Sequence, residues 1–285
     1  MIDWLIEPFQ QPFNQRAMLA ALLIGFTNGY VSGFVVLKKS ALKVGSLSHA
    51  LLPGIAVAIL LAGLHDWSVF LGALFAALLI GLGSLAVSRG SRLDQDSSLA
   101  ILYTAAFSGG IILLRRLGVT QQMDEWLFGN IMGLRDADLW TNFWISFGSL
   151  GLLTSMHRPL LMTLFDSEVA ATLGVPVRAL NYLLFAVLIV VLISSLQAVG
   201  CMLALGLLVT PAATVYLLTD STSALFWGGS LLGGTASAAA VLIGWHLNIE
   251  QGPAIVLVLG AVFLCAFIFS PKYGLLKRAT TRSRS

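Results

Sequence analysis

Residues 179–218 read ALNYLLFAVLIVVLISSLQAVGCMLALGLLVTPAATVYLL, forty consecutive positions without one Asp, Glu, Lys or Arg. A helix needs about 20 apolar residues to cross a hydrocarbon core roughly 30 Å thick. The stretch therefore holds either two crossings or one crossing followed by a broken helix. Gly200 lies near its centre, and glycine is the residue that lets a chain leave a helix at positive φ. The expected division is 179–198 and 200–218.

The rest of the chain has the same character. It is 58% hydrophobic and only 10% charged, against roughly 25% charged residues in an ordinary soluble domain. Further apolar runs, bounded by charges or turn residues, fall at 17–37, 47–63, 67–88, 97–114, 139–156, 224–245 and 254–270. The expected fold is an all-α polytopic membrane protein with about nine transmembrane helices, eight if 179–218 crosses once. Residues 1–16 form a short external N-terminal segment, 17–271 the transmembrane domain, and 272–285 a basic tail without ordered structure. The N-terminus has no basic region and no small-residue cleavage site, so the first span is read as the targeting signal.

Orientation follows from the Lys and Arg residues, which concentrate in cytoplasmic loops. With nine spans, twelve of them, including Lys38, Lys39, Lys43, Arg89, Arg92, Arg158, Arg178 and those of the tail, fall on one side, and Arg16, Arg115, Arg116 and Arg135 on the other. That bias places the N-terminus outside and the C-terminus in the cytoplasm. A single span at 179–218 would put the basic tail outside. The net charge of +3 is explained by these loops, and nucleic acid is not an expected partner.

All thirteen Asp and Glu residues lie outside the expected spans. Ion-coupled transporters commonly hold carboxylates within the membrane, so an ion-coupled secondary transporter of a small solute is the second reading. A non-transporting scaffold is a third. Gly25, Gly29 and Gly33 recur on one helix face, as do Gly229 and Gly233 ahead of TASAAA. This is a close-packing pattern, read as packing within one chain before a dimer seam. Cys201 and Cys265 sit apart in apolar runs and read as packing residues.

Two segments carry possible mechanism. Between the fifth and sixth spans, within the loop 157–178, residues 166–176 read DSEVAATLGVP. Asp166 or Ser167 can cap a short helix, Glu168 suits its positive end, and Gly174 with Pro176 stops it. It reads either as an interfacial helix or as a coupling helix that fits a groove on a soluble partner. The second is His49 in VGSLSHALLPGIA, where Ser46, Ser48 and Pro53 make a polar, irregular patch near the start of a span. Such a patch is a site hypothesis, and imidazole is a common ligand for Zn, Fe and Mn. The alternative is a His49 hydrogen bond to a neighbouring helix. His65 and His157 read as solvated loop residues, and His246 as interfacial beside Trp245. No phosphate-binding loop occurs and no histidine pairing suits a catalytic metal, so the chain is not expected to be an enzyme.

Taken in order, FVVLKKSALKVGSLSHALLPGIA (34–56), EWLFGNIMGL (125–134), DSEVAATLGVP (166–176), LQAVGCMLALGLLVTPAAT (196–214) and QGPAIVLV (251–258) resemble the permease subunits of manganese, zinc and iron ABC importers, the ABC-3 metal permeases. The resemblance implies a homodimer or heterodimer of permeases around a central path in the bacterial inner membrane. It also implies P-loop ATPases on the cytoplasmic side that use ATP, and an external metal-binding protein. By the same resemblance 166–176 docks on the ATPase and His49 faces the metal path. This chain binds no cofactor of its own. It departs from the family at one position, where an Asp four residues before the histidine is replaced by Gly45.

Overall fold

The computed structural model describes residues 11–63, 65–119 and 126–270. The expected tail and most of the N-terminal segment lie outside them. The helices are α1 Pro12–Leu37, α2 Ala41–Ala62, α3 Asp66–Gly90, α4 Gln95–Arg116, α5 Asp136–Ser155, α6 His157–Phe165, α7 Ser167–Thr172, α8 Val177–Val199, α9 Cys201–Leu218, α10 Thr222–Leu247 and α11 Gln251–Phe269, with a 3-10 turn at Ile131–Gly133. Among the described residues there is no strand. Nine of the helices are 18 residues or longer, and each overlaps one expected span. Among the described residues, seven of these are long and apolar enough to cross a membrane, and α9 is apolar over the shorter stretch Ala204–Leu218.

Helix α5 is less apolar because its faces are reversed relative to a soluble helix. Asn142, Ser146 and Ser149 are buried, whereas Trp140, Phe143, Trp144 and Phe147 are exposed. A lipid-facing helix can hold its polar groups inward, where neighbours satisfy them. Ser194 of α8 donates a hydrogen bond to Asn142 Oδ1, and Asn28 Nδ2 of α1 donates to Ser195 Oγ at 2.7 Å.

The division at Gly200 is sharp. Its φ of 81° ends α8 and starts α9. A side chain there would meet the backbone of Leu127, Phe128 and Gly129. The segment 127–129 before α5 thus packs directly on the helix break.

Helix α1 is the hub, packing along α10 and also against α9 and α5. Gly25 faces Gly233 and Gly29 faces Gly229, and a Cβ at any of the four would enter the opposing helix's backbone. Gly33 faces the ring of Phe226. The glycine pattern therefore serves packing within the chain. Lipid tails give no hydrophobic preference for helix contact, so close van der Waals packing of small residues supplies it. Pro211 interrupts α9, and the amide of Ala212 beside it donates to Ser32 Oγ of α1 at 3.1 Å. That bond satisfies backbone at a proline break, as the membrane interior demands. Cys265, read from the sequence as packing, is exposed on α11, and the Cys201 side chain lies outside the described residues.

Replacing Gly29 by Leu is expected to lower the melting temperature of the detergent-purified protein by about 5 °C or more, since the added carbons meet backbone that has no rotamer to yield. Circular dichroism on heating measures it.

Candidate functional sites

The segment between α5 and α8 contains two helices where the sequence suggested one. Helix α7 is the expected element, shorter than 166–176. Asp166 Oδ1 accepts from the amides of Glu168 and Val169, each at 3.0 Å, so it is the N-cap. At the other end Gly174 has φ 79°. Its amide donates to the Ala171 carbonyl at 3.1 Å, and that of Val175 to the Ala170 carbonyl at 3.0 Å. This paired bonding closes the last turn in the left-handed conformation that glycine adopts without strain. Phe165, Val169 and Leu173 lie exposed along this segment, an apolar edge beyond the long helices.

Helix α6 was not anticipated. Its signal is faint: Pro159 in the first turn, where proline is tolerated, and Leu160, Leu161 and Leu164 at helical spacing. Leu160 and Thr163 are buried. Met156 alone separates α5 from α6, with φ −96° and ψ 13°.

His157, the first residue of α6, is not the solvated residue the sequence suggested. It is half-buried. Its ring meets Phe226 edge-on with centroids 4.7 Å apart, and lies 6.1 Å from that of Phe34. Its Nδ1 is 3.0 Å from the hydroxyl of Tyr30. Burial pulls its pKa below the usual imidazole value. Nearby, Lys38 Nζ donates to Asn181 Oδ1 of α8 at 2.8 Å; burial first, then the charge of Lys43, lower its pKa. Lys43 itself pairs with Asp96 at 3.1 Å, joining the starts of α2 and α4.

His49 lies on α2, half-buried. Its ring stacks on Tyr103 of α4 at 5.8 Å and 20° and meets Phe107 edge-on at 5.2 Å. Its Nδ1 is buried with no hydrogen-bond partner among the described residues, so the alternative of a bond to a neighbouring helix is not realised at that atom. Ser48 turns away from solvent, 1% exposed, and its hydroxyl donates to the Val44 carbonyl at 3.1 Å. Ser46 is partly buried on the same turn. Pro53 packs against Gly110 of α4, where a Cβ would meet the proline's own backbone. Gly45 is buried, and Leu205 Cδ2 of α9 stands 3.0 Å from where its Cβ would be. Leucine from another helix thus fills the room a carboxylate would take.

The stretch of α4 beside His49 exposes Thr104, Ala105, Ser108 and Gly109. These are small or hydroxyl-bearing side chains on the outside of a membrane-spanning helix. Among the described residues no three His, Cys, Asp or Glu side chains converge on a metal position. At the end of the bundle opposite α7, the chain at 128–131 and the start of α11 at 250–252 enclose a cavity of about 310 Å³, with Glu250 on its rim. His65 is exposed at the start of α3 and His246 is partly buried near the end of α10.

Residues 10–270 match the ABC 3 transport family. The manganese transport system membrane protein MntC of Halalkalibacterium halodurans is 36% identical over 86% of this chain and 83% of its own length. A protein of Haemophilus influenzae named as a probable iron transport system membrane protein is 33% identical over 98% and 97%. Among solved structures, PsaBC from Streptococcus pneumoniae in complex with Fab superposes with a TM-score of 0.89 at 32% identity, covering 98% of this chain and 100% of that one.

The sign of the His157 shift gives a pH dependence. A histidine held neutral by folding stabilises the fold while pH exceeds the unfolded value near 6.5, and that contribution is lost as pH falls through it. The wild type is expected to lose more melting temperature between about pH 7.5 and 5.5 than His157→Phe. Equal losses would contradict the assignment.

Proposed function

Since this chain belongs to the ABC 3 transport family, we propose that it is the membrane-spanning permease subunit of an importer for a divalent transition metal ion, Mn, Fe or Zn, in the bacterial inner membrane. Separate ATPase subunits use the ATP, and an external binding protein delivers the ion. The observation that carries the reading is α7. It is short, capped at both ends, and edged by exposed apolar side chains outside the long helices, as a rigid knob that docks on a soluble ATPase must be.

All nine long helices cross the membrane in this reading. The N-terminus is external, and α7 lies in the cytoplasm with Lys38, Arg89, Arg158 and Arg178, in keeping with the charge bias. Helix α5 is accepted as a crossing because its polar stripe faces inward. The cavity rimmed by Glu250 then opens outside, where the ion arrives.

The path runs beside His49, whose buried Nδ1 is free to accept a ligand, flanked by Tyr103 and Phe107. One imidazole is too few ligands for a divalent transition metal, which takes four or more. The hydroxyl-bearing face of α4 beside it suits contact with a second permease, and a homodimer brings a second His49 to the same path. Ser46 and Pro53 border it; Ser48, turned inward, supports the helix. Asp166, Glu168 and Gly174 form the coupling contact. With Leu205 filling the room at Gly45, binding is weak and neutral, suited to an ion that must leave again.

Vesicles containing this chain with its cognate ATPase and binding protein are expected to take up one of radiolabelled Mn, Fe or Zn only when ATP is supplied. Uptake at the no-ATP level for all three in an assembled complex would overturn the proposal. His49→Ala is expected to reduce uptake about tenfold, the scale of a lost metal contact, with the ATPase still bound. Glu168→Ala combined with Gly174→Val is expected to release the ATPase or uncouple it, measured by co-purification and by ATP hydrolysed per ion.

A further inference from the structure

We propose that the contact between Tyr30 and His157 is the joint through which the coupling segment moves the bundle, with His157 acting as a positioning residue. This rests on the permease reading above and extends it to a residue outside both the docking helix and the metal path.

The chain leaves helical geometry at Met156 between α5 and α6, the swing point of the proposal, and again at Asp166 between α6 and α7. His157 is the first side chain beyond the swing point. It enters a socket built by Tyr30 and Phe34 from α1 and Phe226 from α10, whose side chains are 1%, 0% and 0% exposed. These walls are fixed to each other: the Phe34 and Phe226 rings lie 4.6 Å apart, and the two helices touch backbone to backbone at Gly29 and Gly229. With the imidazole proton on Nε2, Nδ1 accepts from the Tyr30 hydroxyl at 3.0 Å.

Ring contacts let a histidine slide, whereas a hydrogen bond fixes its direction. The bond therefore holds the start of α6 to the most closely packed pair of long helices among the described residues. A displacement of α7 can then turn α1 and α10 instead of being absorbed at Met156. Beyond His157, α6 buries Leu160 and Thr163, and Leu161 and Leu164 pack against the core as well.

The test uses Tyr30→Phe and His157→Phe, each of which keeps an aromatic ring and removes the bond, and His157→Gln, which keeps an acceptor. The complete complex is placed in vesicles, and Mn²⁺ uptake and ATP hydrolysis are measured together. Both Phe variants are expected to assemble and to hydrolyse ATP at close to the wild-type rate, while moving about three- to tenfold fewer ions per ATP, the range for one buried hydrogen bond. The double Phe variant should be no worse than either single one, because both remove the same bond, and His157→Gln should recover part of the loss. Wild-type ions per ATP in both Phe variants would overturn the joint. So would hydrolysis, assembly and uptake falling together, which marks a role in packing alone. If the wild-type complex fails to take up Mn²⁺, Fe²⁺ or Zn²⁺ with ATP, the permease reading falls instead.

Discussion

The contact on which the bundle depends is the meeting of α1 and α10 through glycine. Gly25 and Gly29 face Gly233 and Gly229 so closely that no side chain fits between the helices. In lipid this closeness replaces the hydrophobic drive that assembles a soluble core. Once the pair is set, α9 lies across α1, its proline break answered by Ser32. The inward polar stripe of α5 and the serines of α8 then find their partners around Asn28. The same pair presents Tyr30, Phe34 and Phe226 at one end, and the segment leading to α7 seats its histidine there.

Two regions follow from that frame and differ in rigidity. Around His49 the protein offers one imidazole whose Nδ1 has no hydrogen-bond partner among the described residues, beside two aromatic rings. In the proposed importer such a place holds a cation loosely. Around α7 it offers a short helix with both ends closed by its own residues and an apolar edge outward. An ion site that must release and a lever that must not bend are the two demands that alternating access makes on a permease.

Much of this was legible in the sequence. Apolar runs of membrane length gave all nine long helices, though α1 and α2 begin five and six residues earlier than expected, because the bilayer fixes the length and few competing signals exist. The glycine spacing announced close helix packing at α1 and at α10, though not that the two would meet each other. Asp166 and Gly174 announced the ends of α7 because capping is local chemistry. What stayed hidden was set by distant partners. His157 looked like a loop residue, since nothing in HRPLLMTLF reveals that Tyr30 and Phe226 await it. Leu205 gave no sign of filling the room at Gly45, a position that looked merely empty. Ser48 looked like part of a path, although its own helix carbonyl takes its hydrogen bond. Helix α5 is the intermediate case: its span was expected at 139–156, but the inward direction of Asn142, Ser146 and Ser149 was not.

The account rests above all on which side of the membrane α7 occupies, because only from the cytoplasm can it receive work from an ATPase. Single cysteines placed at Glu168 and at Glu250, in a background lacking Cys201 and Cys265, can be labelled with an impermeant maleimide on cells whose inner membrane is intact. The account predicts that position 250 reacts directly and position 168 only after that membrane is opened. Labelling of position 168 in intact cells would place α7 outside and contradict the account.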